Sequence, residues 1–182
     1  MITLSKGTKI YRGSSSEPVY AQEGSRPNYM RNLPVYFAED RNTANVYGQV
    51  IRYTVKEDLA LVDMSDPVTI AGLMSHTESN IVRKAFEKAF RVSNGQVSRF
   101  SRIKYDIYVA AFLCKLGFDG YYAPRLKNAK TTQGSFHPEI VLCDPKNVLV
   151  VDKIYKATRS PSTRTGVNEN LTRRVLRNLR QS

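Results

Sequence analysis

Gly117-Phe118-Asp119-Gly120-Tyr121-Tyr122-Ala123 is the stretch on which the reading of the fold turns. Before it, residues 78–91 and 103–116 space their apolar residues three and four apart, the period of an amphipathic helix. From Gly117 onward the pattern becomes short apolar runs: Phe118 to Ala123, then Glu139-Ile140-Val141-Leu142-Cys143, then Val148-Leu149-Val150-Val151-Asp152. Runs of this length, bounded by Gly, Pro and Asp, read as strands. The amino-terminal half adds Thr8 to Arg12, Pro34 to Ala38, Val50 to Val55 and Leu59 to Asp63 as strands. A short helix follows the N-capping Asp40, and another runs over 67–75 behind Pro67. Strands, then helices, then strands, without regular alternation, predict an α+β fold over a doubly wound parallel sheet.

The chain has 182 residues, which suits one domain and a tail. A boundary near 155 separates a domain over 1–155 from a basic tail over 156–182. That tail opens with a Ser/Thr/Pro/Gly-rich stretch and reads as flexible. It holds seven Lys and Arg against one acid, half of the chain's net charge of +12. Such a field attracts anions: nucleic acid, an anionic cofactor or an acidic partner. Residues 169–180 have the spacing of a short helix, with leucines on one side and arginines on the other.

No run is long and apolar enough to span a membrane, and the first residues lack the pattern of a secretory signal. An intracellular protein without membrane contact is therefore expected. Cys114 and Cys143 sit in apolar runs and read as small buried hydrophobes, a disulfide being unexpected in so large a domain with two cysteines. Two scattered His and two Cys give no metal-ligand spacing, so no metal is expected. His76 and His137 have polar neighbours and no nucleophile near in sequence.

Three segments carry candidate chemistry. In Ile10-Tyr11-Arg12-Gly13 an arginine closes a strand beside a glycine, where a guanidinium can reach a phosphate or ribose. In Val35-Tyr36-Phe37-Ala38-Glu39-Asp40, followed by Thr43 to Gly48, a strand feeds a short helix with aromatics on both. In Phe136-His137-Pro138-Glu139-Ile140, a polar loop over 124–138 delivers one carboxylate to the mouth of a buried strand. Taken singly, each has an ordinary reading as a surface charge, a core aromatic or a turn.

Together, in this order, they resemble the ADP-ribosyltransferase family, in particular its arginine-first branch with many bacterial-toxin and phage members. The matching motifs are Tyr11-Arg12-Gly13, Tyr36-Phe37-Ala38 with Ala44 to Gly48, Gly117 to Tyr122, and Glu139 to Pro145, over roughly residues 8–152. The resemblance implies a split β-sheet core with flanking helices and an NAD cleft, and mono-ADP-ribosyl transfer from NAD to a protein or nucleic-acid acceptor. It implies a viral, phage or bacterial setting, in the host cytoplasm or the virion if viral. It places Tyr11, Arg12 and Gly13 against NAD, with Arg12 on a phosphate or the adenosine ribose and the Gly13 backbone on the nicotinamide amide. Tyr36 or Phe37, together with Tyr47, would stack on or wall the nicotinamide, Ala38 would belong to the cofactor site, and Glu139 would bond the nicotinamide ribose. Breaking that glycosidic bond builds positive charge on the sugar, which a fixed carboxylate stabilises.

Two positions depart from the family pattern. Where the family has a Ser or Thr that orients the glutamate, the matching position is Ala38 or Glu39, neither of which carries a hydroxyl. Two residues before Glu139, where Glu or Gln is common, stands His137, a residue able to activate or position an acceptor. These departures leave a second reading open: a basic binding or structural protein on the same fold, a virion component or a nucleic-acid-associated factor that uses the tail.

Overall fold

The computed structural model describes residues 1–14, 34–45, 47–99, 103–124 and 138–155. Eight strands form one sheet. In chain order they are β1 (Ile2–Leu4), β2 (Lys9–Ser14), β3 (Val35–Ala38), β4 (Gln49–Val55), β5 (Leu59–Asp63), β8 (Gly120–Ala123), β9 (Glu139–Leu142) and β10 (Leu149–Ile154). A separate hairpin joins β6 (Phe90–Ser93) to β7 (Gln96–Arg99). The spatial order in the sheet is β1-β5-β8-β9-β3-β2-β4-β10, antiparallel throughout except for β5 beside β8. The helices are α1 (Arg41–Asn45), α2 (Pro67–Ser75), α3 (Asn80–Ala89), α4 (Ile103–Lys115) and the single turn α5 (Pro145–Val148). The architecture is mixed α+β, as the order of elements predicts.

Local chemistry explains most boundaries. Asp40 caps α1 by accepting from the Thr43 amide at 2.9 Å. Asp66 caps α2 through the Val68 amide at 3.0 Å, with Pro67 at the first helical position. The helical pattern read over 78–91 ends earlier, at Ala89, because Asn94 and Gly95 both take positive φ (50° and 67°) and close a two-residue hairpin turn. Phe90 and Arg91 are drawn into that hairpin as its first strand.

Strand alternation sorts the core into two faces. One face presents Tyr36, Val62, Tyr121, Ala123 and Val141 to α2, α3, α4 and the β6–β7 hairpin. The other presents Ile10, Val35, Phe37, Ile51, Tyr53, Leu61, Ile140 and Leu142. That second cluster is built from strand residues, with Val148 of α5 packed against it. Phe37 meets Tyr53 edge-on at 5.5 Å between centroids, across the strand that separates them.

Cys114 and Cys143 form a disulfide, with Cα atoms 5.4 Å apart, contrary to the expectation of two buried thiols. The chain reverses after α4, and the Cys143 amide bonds the Asp119 carbonyl at 2.9 Å, which brings the end of β9 back to the end of α4. That adjacency is tertiary and leaves no trace in spacing. No helix among the described residues is long and apolar enough to cross a membrane. The tail over 156–182 and its expected helix, the loop over 124–138 apart from its ends, and His137 lie outside the described residues.

Candidate active site

Cross-strand register assembles the motifs. Glu139 on β9 lies directly opposite Ala38 on β3, and Ala38 directly opposite Tyr11 on β2. The same row continues outward to Ala123 on one side, and to Arg52 and then Lys153 on the other. Residues paired in this way point to the same face, with strands about 4.8 Å apart, so Tyr11 and Glu139 stand roughly 10 Å from each other. Tyr36, two residues before Ala38, shares that face.

Between β2 and β3 the described residues form one register pair, Tyr11 with Ala38. Past it, Arg12, Gly13 and Ser14 pair only with β4, while Val35, Tyr36 and Phe37 pair only with β9. The β2–β3 ladder is thus short, and Arg12 and Gly13 follow its one pair along β2.

Arg12 does not join Glu139 on its face. It pairs with Ile51, whose side chain is in the strand-built core, so the Arg12 side chain leaves the opposite side of the sheet. Phe37 also faces that way and is 2% exposed, which makes it core packing and not a wall beside Glu139. Gly13 is required by packing: a Cβ there would come within 1.8 Å of the Ala44 carbonyl oxygen and 2.9 Å of the Tyr47 Cβ. The close approach is to α1, a different reason from the ligand contact that the resemblance implies. Tyr47 lies beside Gly13 and is more than half exposed.

Around Glu139 the structure adds two residues that the sequence reading does not single out. Arg99, the last residue of β7, donates from Nη2 to Glu139 Oε2. The same nitrogen lies 3.7 Å from Asp106 Oδ2 on α4. The guanidinium also sits over the Phe90 ring, 5.7 Å from its centroid. Side-chain exposure falls from 28% at Glu139 to 1% at Arg99 and 5% at Asp106. The cluster is therefore an acid at the surface, backed by a buried cation and a second, buried acid.

Electrostatics follow from that burial. Burial alone works against the Arg99 charge, but Glu139, and then Tyr121 and Asp106, outweigh it and hold the guanidinium above its ordinary range. Burial pushes Asp106 up to about 7, against the opposing pull of Arg99. Burial likewise raises the phenols of Tyr36 and Tyr121, each reinforced by the nearby acids and opposed by Arg99, so both are neutral. Among the described residues no group of His, Cys, Asp and Glu is placed to hold a metal ion.

Both missed residues left a signal. Asn94-Gly95 between Val92 and Val97 is a strong two-residue hairpin cue, and it ends in Arg99. Asp106 shares a helical stripe with Val109, Ala110 and Leu113, all buried, and an acid on an apolar stripe calls for a buried partner.

No family model, no curated protein and no solved structure matches this chain.

Proposed function

We propose that the protein is an NAD-dependent mono-ADP-ribosyltransferase that passes ADP-ribose to a macromolecular acceptor and releases nicotinamide. The observation that carries this reading is the row Tyr11–Ala38–Glu139, which brings one residue from each of three sequence motifs side by side on one face. Glu139 is half-buried, one of its oxygens is engaged by Arg99, and the small side chains of Ala38 and Ala123 flank it. Such a carboxylate can accept a ribose hydroxyl and stabilise positive charge on the sugar as the nicotinamide bond breaks. A fixed contact of this kind is worth about 3–4 kcal/mol in the transition state. Tyr36 and Tyr11 supply aromatic surface for the nicotinamide end.

Arg12 then acts from the opposite face of the sheet. A dinucleotide that meets both Arg12 and Glu139 has to reach around the short β2–β3 ladder, with its phosphates toward Arg12 and its nicotinamide ribose toward Glu139. The basic tail and His137 belong to acceptor recognition in this reading. An intracellular site of action is the sequence expectation. The Cys114–Cys143 bond favours an oxidising setting such as a virion or cell surface.

Thermal-shift titration tests ligand choice. A ligand that binds only the native state raises stability by about 2.7 kcal/mol at a hundredfold excess over Kd. NAD is expected to raise the melting temperature, and no shift at millimolar NAD would count against the reading.

One alternative has its own supporting observation. Glu139 is engaged by Arg99 and faces a methyl group at Ala38, which suits a basic binding protein that keeps the fold without the reaction. That reading expects salt-sensitive nucleic-acid binding that falls when residues 156–182 are removed, and no release of nicotinamide.

A further inference from the structure

We propose that Arg99 is the positioning residue for Glu139, fixing the direction in which its carboxylate faces the substrate. The inference rests on the transferase reading above and deepens it.

Glu139 is the first residue of β9, and its cross-strand neighbours on either side are Ala38 and Ala123. Neither side chain can hydrogen-bond, so neither can hold a carboxylate in one rotamer. The grip comes from above the sheet, where the β6–β7 hairpin places Arg99 Nη2 on Glu139 Oε2. Among the described residues Oε1 has no hydrogen-bond partner, so it is the oxygen left for a ribose hydroxyl.

The anchor itself is rigid. The Arg99 side chain is buried, pairs with Asp106 on α4, and packs over Phe90 at the start of the same hairpin. Phe90 meets Tyr121 of the sheet edge-on at 6.1 Å, which ties the hairpin to the strand next to β9. Taking a guanidinium out of water is costly unless it is paired. A cation buried at this one point, behind a partly exposed acid, is more than hairpin closure requires. Its planar guanidinium aims Nη2 at Glu139 Oε2 in a fixed direction, which a flexible ammonium does not. Serine at position 38 would place a hydroxyl directly across from Glu139 and offers an independent way to do the same task.

The test uses the full chain and measures nicotinamide release from NAD, with water or a protein extract as acceptor. Arg99→Met is expected to lower kcat roughly a hundredfold, the scale for losing one preorganised contact, with KM for NAD within about twofold. Adding Ala38→Ser to Arg99→Met is expected to restore at least about tenfold of the lost kcat. Arg99→Lys, which keeps the charge, covers the case in which Arg99→Met fails to fold; it is expected to melt near wild type yet lose about tenfold in kcat. Wild-type kcat in Arg99→Lys, or loss in Arg99→Met that Ala38→Ser does not relieve, would overturn the proposal while leaving the transferase reading in place. A wild-type protein that neither binds NAD nor releases nicotinamide would remove both.

Discussion

Arg12 and Glu139 leave opposite faces of the same sheet, Arg12 beside Ile51 in the strand-built core and Glu139 beside Ala38 under the helical layer. The two groups named first by the sequence therefore do not share a flat groove. A single ligand can meet both only by reaching around the short β2–β3 ladder, past the Tyr11–Ala38 pair.

In the proposed reading Arg12 therefore binds NAD without a share in the bond-breaking step. Arg12→Ala is expected to raise KM for NAD by about tenfold or more, the loss of a charged hydrogen bond, with kcat changed less than about threefold. Steady-state kinetics of nicotinamide release would check it. A large fall in kcat at unchanged KM would place Arg12 at the reacting centre, against the present account.

Asp106 makes stability depend on pH. Its folded pKa, about 7, is raised above the ordinary aspartate value near 3.9, so the folded protein holds this proton more tightly than the unfolded chain. The contribution is fully present below about pH 4 and is lost as pH rises through about 7. Urea unfolding is therefore expected to show a fall in stability from this group across that range, and Asp106→Asn to flatten it. An unchanged slope in the variant would contradict the assignment.

What the sequence made legible was local. The apolar runs of β3 and β9, the Asp40 cap and the Pro67 helix start are written in neighbouring residues, and each stands where its pattern puts it, whereas β2 runs on through Gly13 to Ser14, past its expected close at Arg12. The side-by-side placement of Tyr11, Ala38 and Glu139 was not legible in this way, because it is set by register across three strands. Arg99 and Asp106 were harder. Each looks ordinary alone, and only the β6–β7 hairpin and the packing of α4 bring their opposite charges together out of water. The face on which Arg12 lies depends on register, and a one-residue shift reverses it.

The disulfide was illegible for the same reason, and it makes a direct prediction. Native protein purified without reductant is expected to show no titratable thiol. Cys114→Ser with Cys143→Ser is expected to lower stability by about 3.6 kcal/mol, the scale for a loop closed over a sequence separation of 29. Equal urea midpoints for the variant and the oxidised wild type would show that the bond contributes nothing.

The central claim is that Glu139 stabilises the sugar as nicotinamide leaves. Labelled NAD should be incubated with the protein and a cell extract, alongside Glu139→Gln, with NAD binding followed in both. The account predicts transfer of label by the wild type and a fall of roughly 100- to 1000-fold in the variant, with NAD still bound. Equal labelling by the two proteins, or none by the wild type at saturating NAD, would contradict it.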